Sequence, residues 1–230
     1  MAEVKHTEQT TTHKTVETVR RPTAEQFWSK NSKLITGALV AIILIIGGFI
    51  AYNNFVKGPE EEKAGNAMWG AQNLYKIDSF NLALNGNGAT QGFLKIISKY
   101  GGTESGNLAK FYAGSCYLQL GDFNNAVKYL KDFSTGSQVL QVRTNGLLGD
   151  AYAELGKKPE AVDYYKKAGT IFKEDNINSP EYLFRAALLY QDLGKNKEAI
   201  AMLQQLKKEY PLSPRGFEAD KYLAKLGETK

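Results

Sequence analysis

Ala113-Gly114-Ser115-Cys116-Tyr117-Leu118-Gln119-Leu120-Gly121 returns 35 residues later as Leu148-Gly149-Asp150-Ala151-Tyr152-Ala153-Glu154-Leu155-Gly156. It returns again after 38 more as Ala186-Ala187-Leu188-Leu189-Tyr190-Gln191-Asp192-Leu193-Gly194. Self-similarity at such a period marks stacked helical hairpins, in which each unit buries its apolar face only against its neighbours. Gly114, Gly149 and Ala187 are small where the two helices of a hairpin must touch. Tyr117, Tyr152 and Tyr190, one turn on, are expected to fill the gap between neighbouring hairpins. Gly121, Gly156 and Gly194 can take the positive φ that ends a first helix. Five residues past each stands Ala126, Ala161 or Ala199, small enough to pack a second helix against the first, followed by Leu130, Tyr165 or Leu203.

These residues resemble the tetratricopeptide repeat (TPR), whose small-x-x-Tyr…Gly…Ala pattern they match in three consecutive units over 107–211, with Pro211 closing the third. The flanks are degenerate, as terminal repeats are. Upstream, Gly58 and Pro59 read as a linker, Glu60 to Leu84 as one long helix, Gly86-Asn87-Gly88 as a turn, and Gln91 to Tyr100 as a helix of the second type. Residues 57–106 are thus a linker and a degenerate first hairpin. In 212–230, Phe217 to Leu226 repeats only a first helix, with Lys225 inserted before the Leu-Gly, and reads as a cap.

From Leu34 to Val56, bracketed by Lys33 and Lys57, no residue carries a formal charge. As a helix this run reaches roughly 34 Å at about 1.5 Å per residue, against a hydrocarbon core of about 30 Å, and predicts a membrane span. A cleaved signal peptide has a short basic head and a small-x-small exit, whereas here the whole of 1–33 precedes the apolar run. Phe27 and Trp28 before it, and Tyr52 and Phe55 at its far end, suit interfacial aromatic belts. Arg20, Arg21, Lys30 and Lys33 upstream outnumber Lys57, Lys63 and Lys76 downstream, which orients the amino-terminal tail to the cytoplasm. One stripe of the helix holds Gly37, Ala41, Leu44, Gly48 and Ala51, where a partner helix could approach closely. Residues 1–33, threonine-rich and poor in large apolar side chains, are expected to be a disordered tail that turns helical near the membrane.

Among 230 residues there is one cysteine, Cys116, and two histidines, His6 and His13, both in that tail. A Ser-His-Asp or Cys-His arrangement is therefore excluded from the repeat region, and no cysteine pair could hold zinc. Cys116 takes the slot of Ala151 and Leu189 and reads as a buried structural thiol. No phosphate-cradling glycine loop occurs. No catalytic residue, metal or cofactor is expected, and the chain reads as a binding protein, not an enzyme. Its net charge of +5 comes from 29 basic and 24 acidic residues. Ten of these 53 charges fall in the tail, and the rest, nearly balanced in sign, make a mixed surface, not a stripe for nucleic acid.

First helices of such a stack line its concave face. By alignment that face receives Leu108, Phe111, Ser115 and Leu118 from the first unit, Arg143, Gly146, Asp150 and Glu154 from the second, and Glu181, Phe184, Leu188 and Gln191 from the third. A co-chaperone groove that clamps a terminal carboxylate requires Lys and Asn where Phe111, Ser115 and Gly146 stand, which argues against a cytosolic heat-shock adaptor. An extended segment or helix of another protein across the groove is the expected ligand.

The phrase Trp28-Ser29-Lys30-Asn31 before a single span, a short charged linker and an atypical first hairpin leading into tetratricopeptide units resemble the YfgM-like family of single-pass inner-membrane proteins of Gram-negative bacteria. That resemblance implies an ancillary subunit of the Sec translocon (SecY, SecE, SecG), embedded in membrane lipid with its repeats in the periplasm. It would work with a PpiD-type periplasmic chaperone on translocating client polypeptides. The insertion Gly86-Asn87-Gly88 departs from the family pattern. The alternative is an envelope-assembly or cell-division scaffold of the Tol-Pal-associated TPR type.

Overall fold

The computed structural model describes residues 24–228 and is helical throughout, apart from turns and one isolated bridge between Gly86 and Gln91. It divides into two compact units, Met1–Tyr52 and Asn53–Lys230.

The described part of the first unit is α1, Ala24–Tyr52. Its apolar side chains are exposed all round, Ile43, Leu44 and Ile45 among them. A helix apolar on every side and uncovered by protein has the surface of a segment solvated by lipid, and α1 is long and apolar enough to cross a membrane. It begins ahead of the apolar run: residues 24–33, where the tail was expected to turn helical near the membrane, are its first turns, with Asn31 Nδ2 donating to the Phe27 carbonyl at 2.9 Å. Residues 1–23, with His6, His13, Arg20 and Arg21, lie outside the described residues.

The second unit opens with a π-helical turn, Asn53–Lys57, which contains the last residues of the expected span. It continues through α2 (Gly58–Lys76), α3 (Phe80–Asn85) and α4 (Phe93–Tyr100). Three hairpins follow, α5 (Glu104–Gln119) with α6 (Phe123–Asp132), α7 (Gln138–Glu154) with α8 (Lys158–Thr170), and α9 (Asn178–Asp192) with α10 (Asn196–Glu209), and α11 (Pro214–Lys225) closes the array. Each first helix ends alike. Gly121, Gly156 and Gly194 have φ of 80°, 71° and 70°, and the next N–H donates back to the carbonyl of Tyr117, Tyr152 or Tyr190 at 2.9 Å. That six-to-one bond satisfies a carbonyl the helix end would otherwise orphan.

Inside each hairpin the small residues do what their size requires. A Cβ on Gly114 would lie 2.5 Å from Leu130 Cγ, and one on Gly149 2.5 Å from Tyr165 Cε1; Ala126, Ala161 and Ala199 are fully buried. Two of the repeat tyrosines also fasten their own hairpin: Tyr117 stacks on Tyr129 and Tyr152 on Tyr164, ring centroids 5.4 and 5.3 Å apart. Tyr152 meets the preceding hairpin as well, where Lys131 of α6 lies 5.3 Å from its ring centroid. Along the array α2, α5, α7, α9 and α11 each approach the next first helix, whereas α6, α8 and α10 make no such approach to one another. The stack therefore curves with its first helices inside.

The amino-terminal hairpin departs from the sequence reading twice. Gly58 and Pro59, expected as a linker, are helical: they form the first turn of α2, which follows the π-helical turn directly, with Lys57 at the junction at φ −69° and ψ −41°. The expected single helix Glu60–Leu84 breaks after Lys76: Asp78 has φ 57°, and the N–H groups of Asp78 and Ser79 donate to Tyr75 and Leu74 carbonyls at 3.1 and 3.0 Å. The break turns α3 back so that Ala83 and Leu84 join Ala64, Met68 and Ala71 of α2, Phe93 and Ile96 of α4, and Cys116 of α5 in one buried cluster. After Gly86, Thr90 N–H donates to Asn87 Oδ1 at 2.8 Å, closing the glycine turn.

Candidate protein-binding face

Arg143, Gly146, Asp150 and Glu154 recur every three or four residues along α7 and form one stripe, and Glu181, Phe184, Leu188 and Gln191 do the same on α9. Those expected as contact residues divide by burial. Phe111, Ser115 and Phe184 are buried, at 2%, 3% and 3% exposure, and present no surface to a ligand. Phe111 packs on Phe133, Phe184 on Tyr222, and the Ser115 hydroxyl pairs with that of Tyr75 at 2.7 Å, where α2 covers it. Gly146 is buried too, because Tyr182 of α9 lies where its side chain would be. Leu108, Leu118 and Leu188 are half-buried, and Arg143, Glu154 and Gln191 are exposed.

Asp150 and Glu181 anchor a polar network between first helices. Asp150 Oδ1 accepts from the Tyr165 hydroxyl at 2.7 Å and from Arg185 Nη1 at 2.6 Å. Glu181 accepts from Arg185 Nε at 2.9 Å and from Arg215 Nε at 2.6 Å, and Arg215 Nη1 reaches Glu218 at 3.0 Å. Partial burial alone would raise the Glu181 carboxyl, but hydrogen bonds from Arg215 and Arg185 outweigh it and hold it below the usual carboxylate range. Burial, then the Asp150 charge, pushes the Tyr165 hydroxyl up, so it stays a proton donor. The cations also lie over rings, where the electron-rich face attracts them. Arg215 is 4.5 Å from the Phe184 centroid, Arg185 5.8 Å from that of Tyr182, and Arg143 5.6 Å from that of Phe111.

Arg185, Arg215, Tyr182 and Glu218 were absent from the sequence reading, and Tyr165 entered it only as a packing position of the second helix. The Glu181 and Arg185 spacing, one helical turn apart, was the available signal for one of them. Cys116 is fully buried, and burial pushes its thiol up to about 12, which suits a packing role rather than a nucleophile's. On α1, Gly37, Ala41, Leu44, Gly48 and Ala51 are all exposed, and a Cβ on Gly37 or Gly48 would meet nothing within 4 Å.

A family model for a tetratricopeptide repeat-like domain matches residues 25–139, half of the 230-residue chain. The chain belongs to the tetratricopeptide repeat-like family. Two further tetratricopeptide repeat models match residues 114–173 and 181–213. Among solved structures, the nearly identical TPR-like repeats of a Podosopora anserina protein assigned as a kinesin light chain, and a singly substituted form of it, are similar at 16% identity and TM-score 0.54. They cover 71% of this chain, and 85% and 84% of their own. The MamA protein is similar at 18% identity and TM-score 0.51, over 73% of this chain and 91% of its own. At such identities the likeness is one of fold. A comparison with curated proteins found no match. As a tetratricopeptide repeat protein the chain has the fold of a scaffold for protein–protein interaction.

Proposed function

We propose that this protein is a membrane-anchored tetratricopeptide scaffold that holds other polypeptides along the inner face of its first helices and transforms none of them. The observation that carries the reading is the family match from residue 25, ahead of the apolar helix, to residue 139, beyond the first hairpin: anchor and repeats recur as one pattern. With the resemblance to the YfgM-like family, this favours an ancillary subunit of the Sec translocon. On this reading the tail is cytoplasmic and the repeats periplasmic, the stripe from Gly37 to Ala51 docks against a membrane helix, and the repeats work beside a PpiD-type chaperone on emerging clients.

Copurification in mild detergent tests it. SecY, SecE, SecG and the PpiD-type chaperone should accompany the wild type and be lost when residues 34–56 are exchanged for an unrelated span. Recovery of envelope-assembly or cell-division proteins alone would favour the Tol-Pal-associated alternative. Protease added to spheroplasts should digest residues 57–230; their protection would reverse the orientation and end the periplasmic reading.

A further inference from the structure

The charges of the inner face alternate and interlock along most of its length, and stop doing so at Arg143. Arg215 holds Glu218 and Glu181, and Arg185 holds Glu181 and Asp150, each cation backed by a ring. Arg143 has the ring, Phe111, and stands two turns before Asp150 on the same stripe of α7. It is exposed, and among the described residues no carboxylate pairs with it. The guanidinium lies within reach of the Phe111 ring and is open to solvent, and its planar fork is suited to two parallel hydrogen bonds to a carboxylate.

We infer that Arg143 is a carboxylate-recognition point, and that its occupant is a polypeptide segment whose acidic side chain pairs with the guanidinium while a neighbouring aliphatic side chain lies on half-buried Leu108, one turn from Phe111. The inference rests on the reading of the inner face as polypeptide-binding and adds the class of segment it takes. Charge decides the occupant. Asp150, Glu154, Glu181 and Glu218 outnumber Arg143, Arg185 and Arg215 along this stripe and network, and Arg185 and Arg215 already hold carboxylates. A phosphate backbone or a run of acids reaching past Arg143 toward α9 therefore meets excess negative charge, whereas a single acid among apolar residues needs one cation alone.

The test uses the full chain in detergent micelles and two fluorescein-labelled peptides, Gly-Leu-Glu-Leu-Gly and its Gln twin, followed by fluorescence anisotropy at low ionic strength. The Glu peptide should bind about tenfold more tightly than its twin, the size of one hydrogen bond to a charged group. Arg143→Gln should bring the Glu peptide to the twin's affinity and leave the twin's unchanged, and Arg143→Lys should keep part of the preference. An unaltered far-UV spectrum and melting temperature would show the variants folded, and the Glu-to-Gln contrast needs no variant. Equal binding of the two peptides by the wild type would overturn the role of Arg143 while leaving a polypeptide-binding face. Binding of neither, or displacement of the Glu peptide by a single-stranded oligonucleotide, would overturn the occupant, and the copurification would still judge the scaffold separately.

Discussion

Gly149→Ala adds one methyl group at the tightest joint of the second hairpin. The new Cβ would sit 2.5 Å from Tyr165 Cε1 and 3.0 Å from its Cγ, so it meets the root of the ring as well as its edge. Tyr165 cannot swing aside cheaply: it is buried, its hydroxyl donates to Asp150 at 2.7 Å, and its ring is stacked on Tyr182 with centroids 6.1 Å apart. Overpacking of this kind costs about 1–3 kcal/mol, and losing the hydrogen bond to a carboxylate about 1.5–3 kcal/mol more. Alanine in place of a mid-helix glycine returns about 0.5–1 kcal/mol. Because the first two losses share one movement they do not add in full, and a net cost of about 2–4 kcal/mol remains. For a unit of this size that lowers the melting midpoint by roughly 5–15 °C. Far-UV circular dichroism of the full chain in micelles reads it. The decisive arm is Tyr165→Ala: with the ring gone there is nothing to strike, and Gly149→Ala added in that background should stabilise by about 0.5–1 kcal/mol. The same destabilisation in both backgrounds, or a raised midpoint for Gly149→Ala alone, would refute the account of why this position is small.

A methyl group on Gly156 would meet no atom within 4 Å, yet this residue stands at φ 71°. Gly156→Ala should therefore cost about 1–2 kcal/mol from backbone strain alone and be insensitive to Tyr165→Ala; equal stability to wild type in a urea titration would contradict this. Glu61 on α2 accepts the Glu104 and Ser105 N–H groups at 2.6 and 2.8 Å, a charged cap on α5. Burial would raise its carboxyl, but hydrogen bonds from Ser105 and Glu104 and the charge of Lys57 outweigh it, and the group is held below its ordinary value. A depressed folded value stabilises above the unfolded one, near 4.5, and that contribution fades as pH falls through the folded value. Glu61→Gln should therefore cost about 1 kcal/mol at neutral pH, with the gap to wild type closing in acid; a gap constant with pH would rule out a charge effect. Cys116 should resist maleimide in mild alkali and react at once in denaturant, and rapid native labelling would contradict its burial.

How far the sequence could be read depended on whether a feature is written locally. The helix ends at Gly121, Gly156 and Gly194 were legible because the whole device, a glycine after Leu and a tyrosine carbonyl four residues before it, lies within one phrase. The partners of the repeat tyrosines were not, since Tyr129 and Tyr164 lie on the second helices and nothing in the motif marks them as stacking surfaces. The break at Ile77-Asp78-Ser79 was hidden because apolar residues continue on either side of it; the local signal was Asp78, a residue type that tolerates the left-handed region. At the candidate face, periodicity set the expected residues along one stripe of each first helix but could not say how far the next first helix rolls over it. That roll buries Gly146 under Tyr182 and leaves Arg143 outside. Arg215 and Glu181, far apart in the chain, meet only because α11 stacks on α9.

The closed part of the network and its open end perform different tasks. Arg185 and Arg215 already have their carboxylates, so a ligand crossing them gains little by replacing those bonds and would leave an acid unpaired if it did. What they contribute is fixed geometry: first helices tied to one another hold the inner face in shape before anything binds, which lowers the ordering cost of association. Arg143 owes no ion pair to the fold and can exchange a hydrated guanidinium for a ligand's carboxylate without disturbing its neighbours. On the proposed reading, stiffness and recognition reside in separate arginines, so release of one segment and capture of the next would break none of the ion pairs that tie the first helices together.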